Sequence, residues 1–312
     1  GLRRFGRVPD EESEMDFVHT RRRRLQRGAA ALLLTLPLAT LAGCGDLWRV
    51  LFPSDHHDET PPERPSDLDR PALLVFHKTN GYRHEEAIQQ GVPALTAIAE
   101  RRGWSSFSTE NGAVHDPEWL AAFDVVVWFQ VSGNVLSEPQ RAALRDFIES
   151  GGAFFGIHGT GGDSSYDWLW QPETLVGAQF IGHPMNPQFQ EATVHVEAPD
   201  HPVMQGLPSE WVRTDEWYSF AESPRGPDVQ VLARLDESTY SPRIDLKVID
   251  HDLRMGEDHP IVWTHCIGRG RAIYSALGHP GTAYTEEPLH VRLLENGLAW
   301  LVSSRYQPCR LP

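Results

Sequence analysis

The sequence predicts an α/β fold in three layers: a mostly parallel sheet with helices on both faces and a more antiparallel second half. Three observations predict it. Continuous apolar runs of strand length, ALLVFH (72–77), DVVVWFQ (124–130) and GGAFFGIH (151–158), mark strands covered on both faces. Amphipathic stretches alternate with these runs. Beyond residue 185 the texture changes to shorter strand-like segments divided by Pro and Gly turns.

Each element follows in order. ALLVFH is the first strand, and KTNGYR turns the chain. Residues 84–101 place Ala87, Ile88, Val92, Leu95, Ile98 and Ala99 near helical spacing, with Pro93 as an expected kink. A short second strand spans 104–109 and a third 124–130. Residues 137–150 open Ser-Glu-Pro and repeat Ala143, Leu144, Phe147 and Ile148, a capped amphipathic helix. GGAFFGIH is the fourth strand. In the second half, 190–197, 211–220, 229–234, 246–250 and 260–266 are expected strands. AIYSALGH (272–279) is another, and a final helix spans 286–302. With no repeat and no second linker, one domain over 71–303 is expected, with a tail at 304–312.

The composition is that of an ordinary globular protein: 312 residues, 40% apolar, 23% charged, ten tryptophans. The net charge is −15, with no long basic stretch outside the first thirty residues. That disfavours nucleic acid, whose binding needs Lys and Arg against phosphate. A neutral or cationic small molecule, or a metal-assisted site, fits better.

Residues 1–44 form an address, with Met15 expected as the true start. RRRRLQR (21–27) precedes an apolar run at 29–42 too short for a membrane span, ending in a small-residue cleavage site. The ending LAGC resembles a bacterial lipobox, which implies lipidation of Cys44, a membrane anchor and an extracytoplasmic domain; the consecutive arginines leave twin-arginine export open. Residues 45–70, rich in Pro, Asp and Glu, are expected to be an extended tether, with His56 and His57 solvated. Cys266 lies in an apolar run, so a free buried thiol is favoured slightly over a bridge to Cys309.

In open parallel sheets, ligands collect outside the C-terminal strand ends. Three strands here end in histidine, at His77, His158 and His279, and His183 sits in IGHP. Asp215 and Glu216 lie in TDEWYSF; on a strand only one of an adjacent pair faces a given cleft. Two or three His with one carboxylate make a ligand set for Zn²⁺ or another first-row divalent ion. The expected metal set is His158, His183, Glu216 and His279, with Asp215 as support or alternative ligand. In KTNGYRH, Lys78, Tyr82, Arg83 and His84 stand at a helix start, suited to orienting a substrate. Neither a phosphate-binding loop nor a dinucleotide fingerprint is present, so no nucleotide site is expected.

Several motifs then agree in order: FHKTNGYRH, GGAFFGIH with its glycine loop, LVGAQFIGHP, HPVMQGLP, TDEWYSF and GRGRAIYSALGH. From 72 to about 301 the chain resembles the ThuA-like (trehalose-utilisation) proteins. The resemblance implies a flavodoxin-like, class I glutamine-amidotransferase-like fold and a carbohydrate substrate. Where amidotransferase relatives place a nucleophilic Cys, Gly156-Ile157-His158-Gly159 places His158, so amide transfer through a thioester is excluded. His279 keeps the place of the relatives' His-Pro segment. The resemblance leaves a metal or acid–base site using His158, Glu216 and His279, or a binding pocket without chemistry. Trp168, Trp170, Trp217 and Tyr218 are candidates to stack on sugar faces.

Overall fold

The computed structural model describes Arg49 and residues 51–163, 167–304 and 307–311. The signal-like segment and Cys44 lie outside the described residues. No helix among the described residues is long and apolar enough to cross a membrane.

The first half is the expected alternation. Strand β1 (Ala72–Phe76) leads to α1 (Glu85–Arg101), β2 (Ser105–Thr109), a one-turn α2 (Pro117–Leu120), β3 (Val125–Phe129), α3 (Glu138–Glu149) and β4 (Ala153–Ile157). Ser137 and Gln140 form the capping box of α3. Pro93 lies inside α1 without ending it. The second half adds β5 (Phe180–Gly182), β6 (Phe189–Val196), β7 (Glu210–Glu216), β8 (Ser219–Phe220) and β9 (Val229–Leu235). There follow the hairpin β10 (Arg243–Leu246) and β11 (Ile249–Asp252), then β12 (Pro260–Ile267), β13 (Gly270–Ser275) and α4 (Pro288–Ser304).

One nine-stranded sheet runs β2-β1-β3-β4-β13-β12-β9-β6-β7. Its first five strands are mutually parallel, and every pairing from β13 onward to β7 is antiparallel. Alternate residues supply two cores. Leu73, Val75, Val127 and Phe155 pack with α1 and α4; Leu74, Phe76, Val126 and Phe154 pack with Trp119, Leu144 and Ile148 from α2 and α3. This period-two partition makes the three layers.

Several expectations are corrected. Segment 211–220 is not one strand: Trp217 and Tyr218 break it into β7 and β8. Segment 246–250 is the turn of a hairpin, with Val248 at its exposed tip. Strand β13 stops at Ser275, so Ala276–His279 leave the sheet. Residues 54–70 do not hang free. Ser54 N–H donates to the Asn80 carbonyl at 2.8 Å, His57 bonds Asn134 at 3.1 Å, and Asp58 pairs with Lys78 at 2.5 Å. Finally, Cys266 and Cys309 form a disulfide and pin the C-terminal tail to β12. An apolar run disguises a cysteine whose side chain sits at the end of the sheet, beside the returning chain.

Candidate functional site

The ends of β4, β7 and β13 and the start of α1 converge on four side chains. His158 follows β4 at φ +43°, the left-handed region that a non-glycine residue adopts only when its surroundings hold it there. The Tyr274 hydroxyl holds its carbonyl at 2.9 Å. Its Nδ1 lies 2.6 Å from the Ala276 carbonyl, which only accepts, so the ring proton is on Nδ1 and Nε2 carries a lone pair. Nε2 faces His279 Nδ1 at 3.3 Å and Glu216 Oε2 at 3.4 Å.

His279 is placed by its backbone. The N–H groups of Gly278 and His279 donate to the two Asp215 oxygens at 2.8 and 3.0 Å, and Asp215 also pairs with buried Arg213 at 2.9 Å. His279 Nδ1 then lies 2.9 Å from Glu216 Oε2. The other Glu216 oxygen meets His183 Nδ1 at 3.2 Å and accepts from the Gln188 amide. Asp215 and Glu216 thus diverge as adjacent strand residues should, one toward the His279 backbone and one into the cluster. His84 closes the group, its ring edge-on to those of His158 and His279 at 5.0 and 4.6 Å between centroids. A Cβ on Gly159 would fall 2.9 Å from His84 Nδ1, so glycine at that position lets the His84 ring in.

One ligand atom from each of His84, His158, Glu216 and His279 lies within 4.8 Å of the other three. Burial would raise the Glu216 pKa, but the imidazoles of His158, His279 and His183 around it outweigh that, holding the carboxylate well below its usual range. Burial, with the neighbouring imidazoles, pushes His84 well below the ordinary histidine value, so it is neutral with a lone pair to give.

These donors fit a divalent ion. His158 donates its outer N–H to a backbone carbonyl, the arrangement that orients metal-ligating imidazoles. His84 Nδ1 is buried without a hydrogen-bond partner. A tetrahedral ion with bonds of about 2.0–2.1 Å keeps its ligand atoms roughly 3.3 Å apart, close to the 2.9–3.4 Å among His158, His279 and Glu216, with His84 inside the 4.8 Å limit of the group. Three nitrogens and one oxygen suit Zn²⁺ or another first-row ion.

The remaining expected residues divide. His183 stands outside the four-atom group, its Nδ1 against the far oxygen of Glu216 and the Pro184 carbonyl and its ring stacked with Tyr218 and Phe180. Asp215 is spent on backbone and Arg213, so it supports the site and does not ligate. Tyr82 and Tyr218 line the cavity over the cluster, and Tyr218 stacks on His158 at 4.2 Å. Lys78 is buried against Asp58, outside that cavity. Arg83 is engaged by Glu85 and Glu110 at 2.5 and 2.8 Å and by Thr79. Trp217 is buried in the core with its indole N–H on the Gln190 carbonyl. Trp168 and Trp170 stack on each other at 5.0 Å, away from the cluster. His77 pairs with Glu110 at 3.2 Å. His84 as a cluster member, Gln188 and Phe189 escaped the sequence reading. For His84 the available signal was its place at the helix start after the first strand, where a parallel sheet brings it beside the other strand ends.

Fold and site together define an α/β protein whose strand ends carry a histidine–carboxylate centre. The chain belongs to the ThuA family: the family model described as trehalose utilisation matches residues 72–301. Among solved structures, a ThuA-like protein from Bacteroides uniformis ATCC 8492 is 25% identical with a TM-score of 0.65, covering 79% of this chain and 97% of its own. Another, from Parabacteroides merdae ATCC 43184, is 17% identical with a TM-score of 0.55, covering 78% and 94%, and supports the fold alone. No curated protein matches the chain. Family membership supports a sugar-related role.

Proposed function

We propose that the chain is a sugar-metabolism enzyme that cleaves or isomerises a disaccharide or 3-keto-glycoside by metal-assisted acid–base chemistry. The observation that carries the reading is the convergence of His84, His158, His279 and Glu216 within 4.8 Å, with His84 Nδ1 left without a partner. A divalent ion held by these residues would supply Lewis-acid polarisation of a substrate oxygen.

The chain's own groups handle the proton. His183 lines the cavity, and its Nδ1 is committed to Glu216 and the Pro184 carbonyl, which leaves Nε2 with no hydrogen bond among the described residues. That nitrogen is placed to take the proton on the carbon beside a substrate carbonyl. In a 3-keto-glycoside, the electron pair of the broken C2–H bond forms a double bond to C1, the C1–O bond breaks, and the leaving oxygen regains the proton from His183. Returning the proton to a different carbon gives isomerisation. A cavity of about 390 Å³ lined by polar and aromatic groups suits a neutral polyol.

The setting follows from two features. Lipidation at Cys44 would tether the enzyme outside the cytoplasm, and the Cys266–Cys309 disulfide supports an oxidising compartment. Elemental analysis of the full chain, purified without a metal-binding tag, tests the core of the reading. Near-stoichiometric metal, lost in His158→Ala and His279→Ala, together with turnover of 3-keto-glycosides, is expected. A folded, metal-free protein sinks the ligand set.

A further inference from the structure

The cluster stands between two cavities. The smaller presents Glu216, His183 and Tyr218; the larger, of about 870 Å³, presents His279, Phe189, Arg213 and Glu287. Tyr82 and His84 line both. Glu216 and His279, only 2.9 Å apart, therefore face different chambers. We propose that the larger cavity is a second saccharide subsite, with Phe189 as its stacking platform, so that the substrate is a glycoside whose two parts lie on either side of the cluster. The inference rests on the sugar chemistry proposed above and adds where the second unit binds.

Phe189 carries the argument. It opens β6 with 43% of its surface exposed, and its ring lies 4.9 Å from that of His279. An exposed aromatic face beside a reactive imidazole, in a wall of polar groups, is the chemistry that recognises the C–H face of a pyranose. The cations there are paired, and Glu86 adds a carboxylate with no ion pair among the described residues. Arg83 is paired with Glu85 and Glu110, and Arg213 with Asp215 and, at 3.4 Å, Glu287. With its cations already paired, the chamber favours a neutral ligand over a phosphorylated or acidic sugar. The partly buried Glu287 carboxylate and the Thr282 and Thr214 side chains also line this space. All three are suited to hydroxyl groups.

The test is binding to the full chain, by calorimetry and saturation-transfer NMR, of trehalose, maltose, cellobiose and lactose against glucose. At least one disaccharide should bind more tightly than glucose, with saturation reaching both rings. Phe189→Ala should weaken that disaccharide about three- to tenfold, leave glucose unchanged, and lose saturation on one ring only. Phe189→Tyr, which keeps the platform, should restore it. Because Phe189 is exposed, its truncation opens no core. Equal binding of disaccharides and glucose, unaffected by Phe189→Ala, overturns the subsite and leaves the sugar reading standing. A wild-type chain that binds no sugar overturns both.

Discussion

His158 Nε2 stands 3.3 Å from His279 Nδ1, although the two residues are 121 positions apart in the chain. Neither nitrogen has a proton to spare for the other. The His158 proton is on Nδ1, given to the Ala276 carbonyl, and any proton on His279 Nδ1 is drawn to Glu216 Oε2. Without that proton His158 Nε2, His279 Nδ1 and Glu216 Oε2 would be three acceptors facing one another, so a proton or a cation has to lie at the point among them.

Glu216→Gln keeps the shape of that point and removes its negative charge. The variant should bind Zn²⁺ or Mn²⁺ at least roughly tenfold more weakly, and its thermal midpoint in the absence of metal should fall, because the depressed carboxylate pKa records interactions that stabilise the folded chain. Equilibrium dialysis measures the first and a thermal melt the second. Undiminished metal affinity would remove Glu216 from the ligand set.

Acid should weaken the fold well before its carboxylates titrate. Burial pushes His115 and His265 down to about 4 from the usual 6.5. Both are buried neutral: His115 accepts from the Trp128 indole N–H, and His265 donates to the Thr174 carbonyl. Between pH 6.5 and 4 the unfolded chain binds protons that the folded chain refuses, so stability falls as pH falls through that window. Each histidine accounts for a loss on the order of 3 kcal/mol at the acid end. Urea unfolding at pH 7, 5.5 and 4.5 should show a steady decline. A flat profile would mean that these rings are protonated in the native state.

The fold was legible because apolar runs such as VVVWF and AFFGI have strand length and no alternation, a pattern that buried parallel strands impose on any sequence. Glu216 and the two histidines at 158 and 279 were legible as polar groups at strand ends. Lys78 and Trp217 were misassigned for one reason: sequence gives neighbourhood along the chain and no direction for a side chain. Lys78 turns to Asp58 and Trp217 turns inward, although each is adjacent to cluster elements. The disulfide depends on where a tail returns after α4, which no local pattern encodes.

Cys309→Ser should cost about 2–4 kcal/mol, the range for a bridge across a separation of 43 residues. The bridge reinforces weak contacts: the Cys309 N–H on the Arg269 carbonyl and Arg271 on the Gln307 carbonyl. Reductant should lower the wild-type midpoint toward that of the variant and leave the variant unmoved. The wild type melting identically with and without reductant would show that the bridge contributes nothing.

Asp215→Asn isolates positioning from ligation. The carboxylate accepts three backbone N–H groups, from His279 and Glu216 on one oxygen and from Gly278 on the other. An amide has one oxygen, so its NH₂ must oppose the donors on one side, and the Gly278–His279 backbone loses part of its anchor. Arg213 at the same time loses its nearest counter-charge, 2.9 Å away in the core. Metal affinity should fall about 10–100-fold, the usual cost of disturbing a group that orients a ligand. The stranded charge also threatens the fold, at about 3–5 kcal/mol. The double variant Arg213→Met with Asp215→Asn removes that charge, so it should regain stability while metal affinity stays low. Full metal affinity in the double variant would show that His279 is placed by packing, including its contact with Phe189, and not by the Asp215 carboxylate.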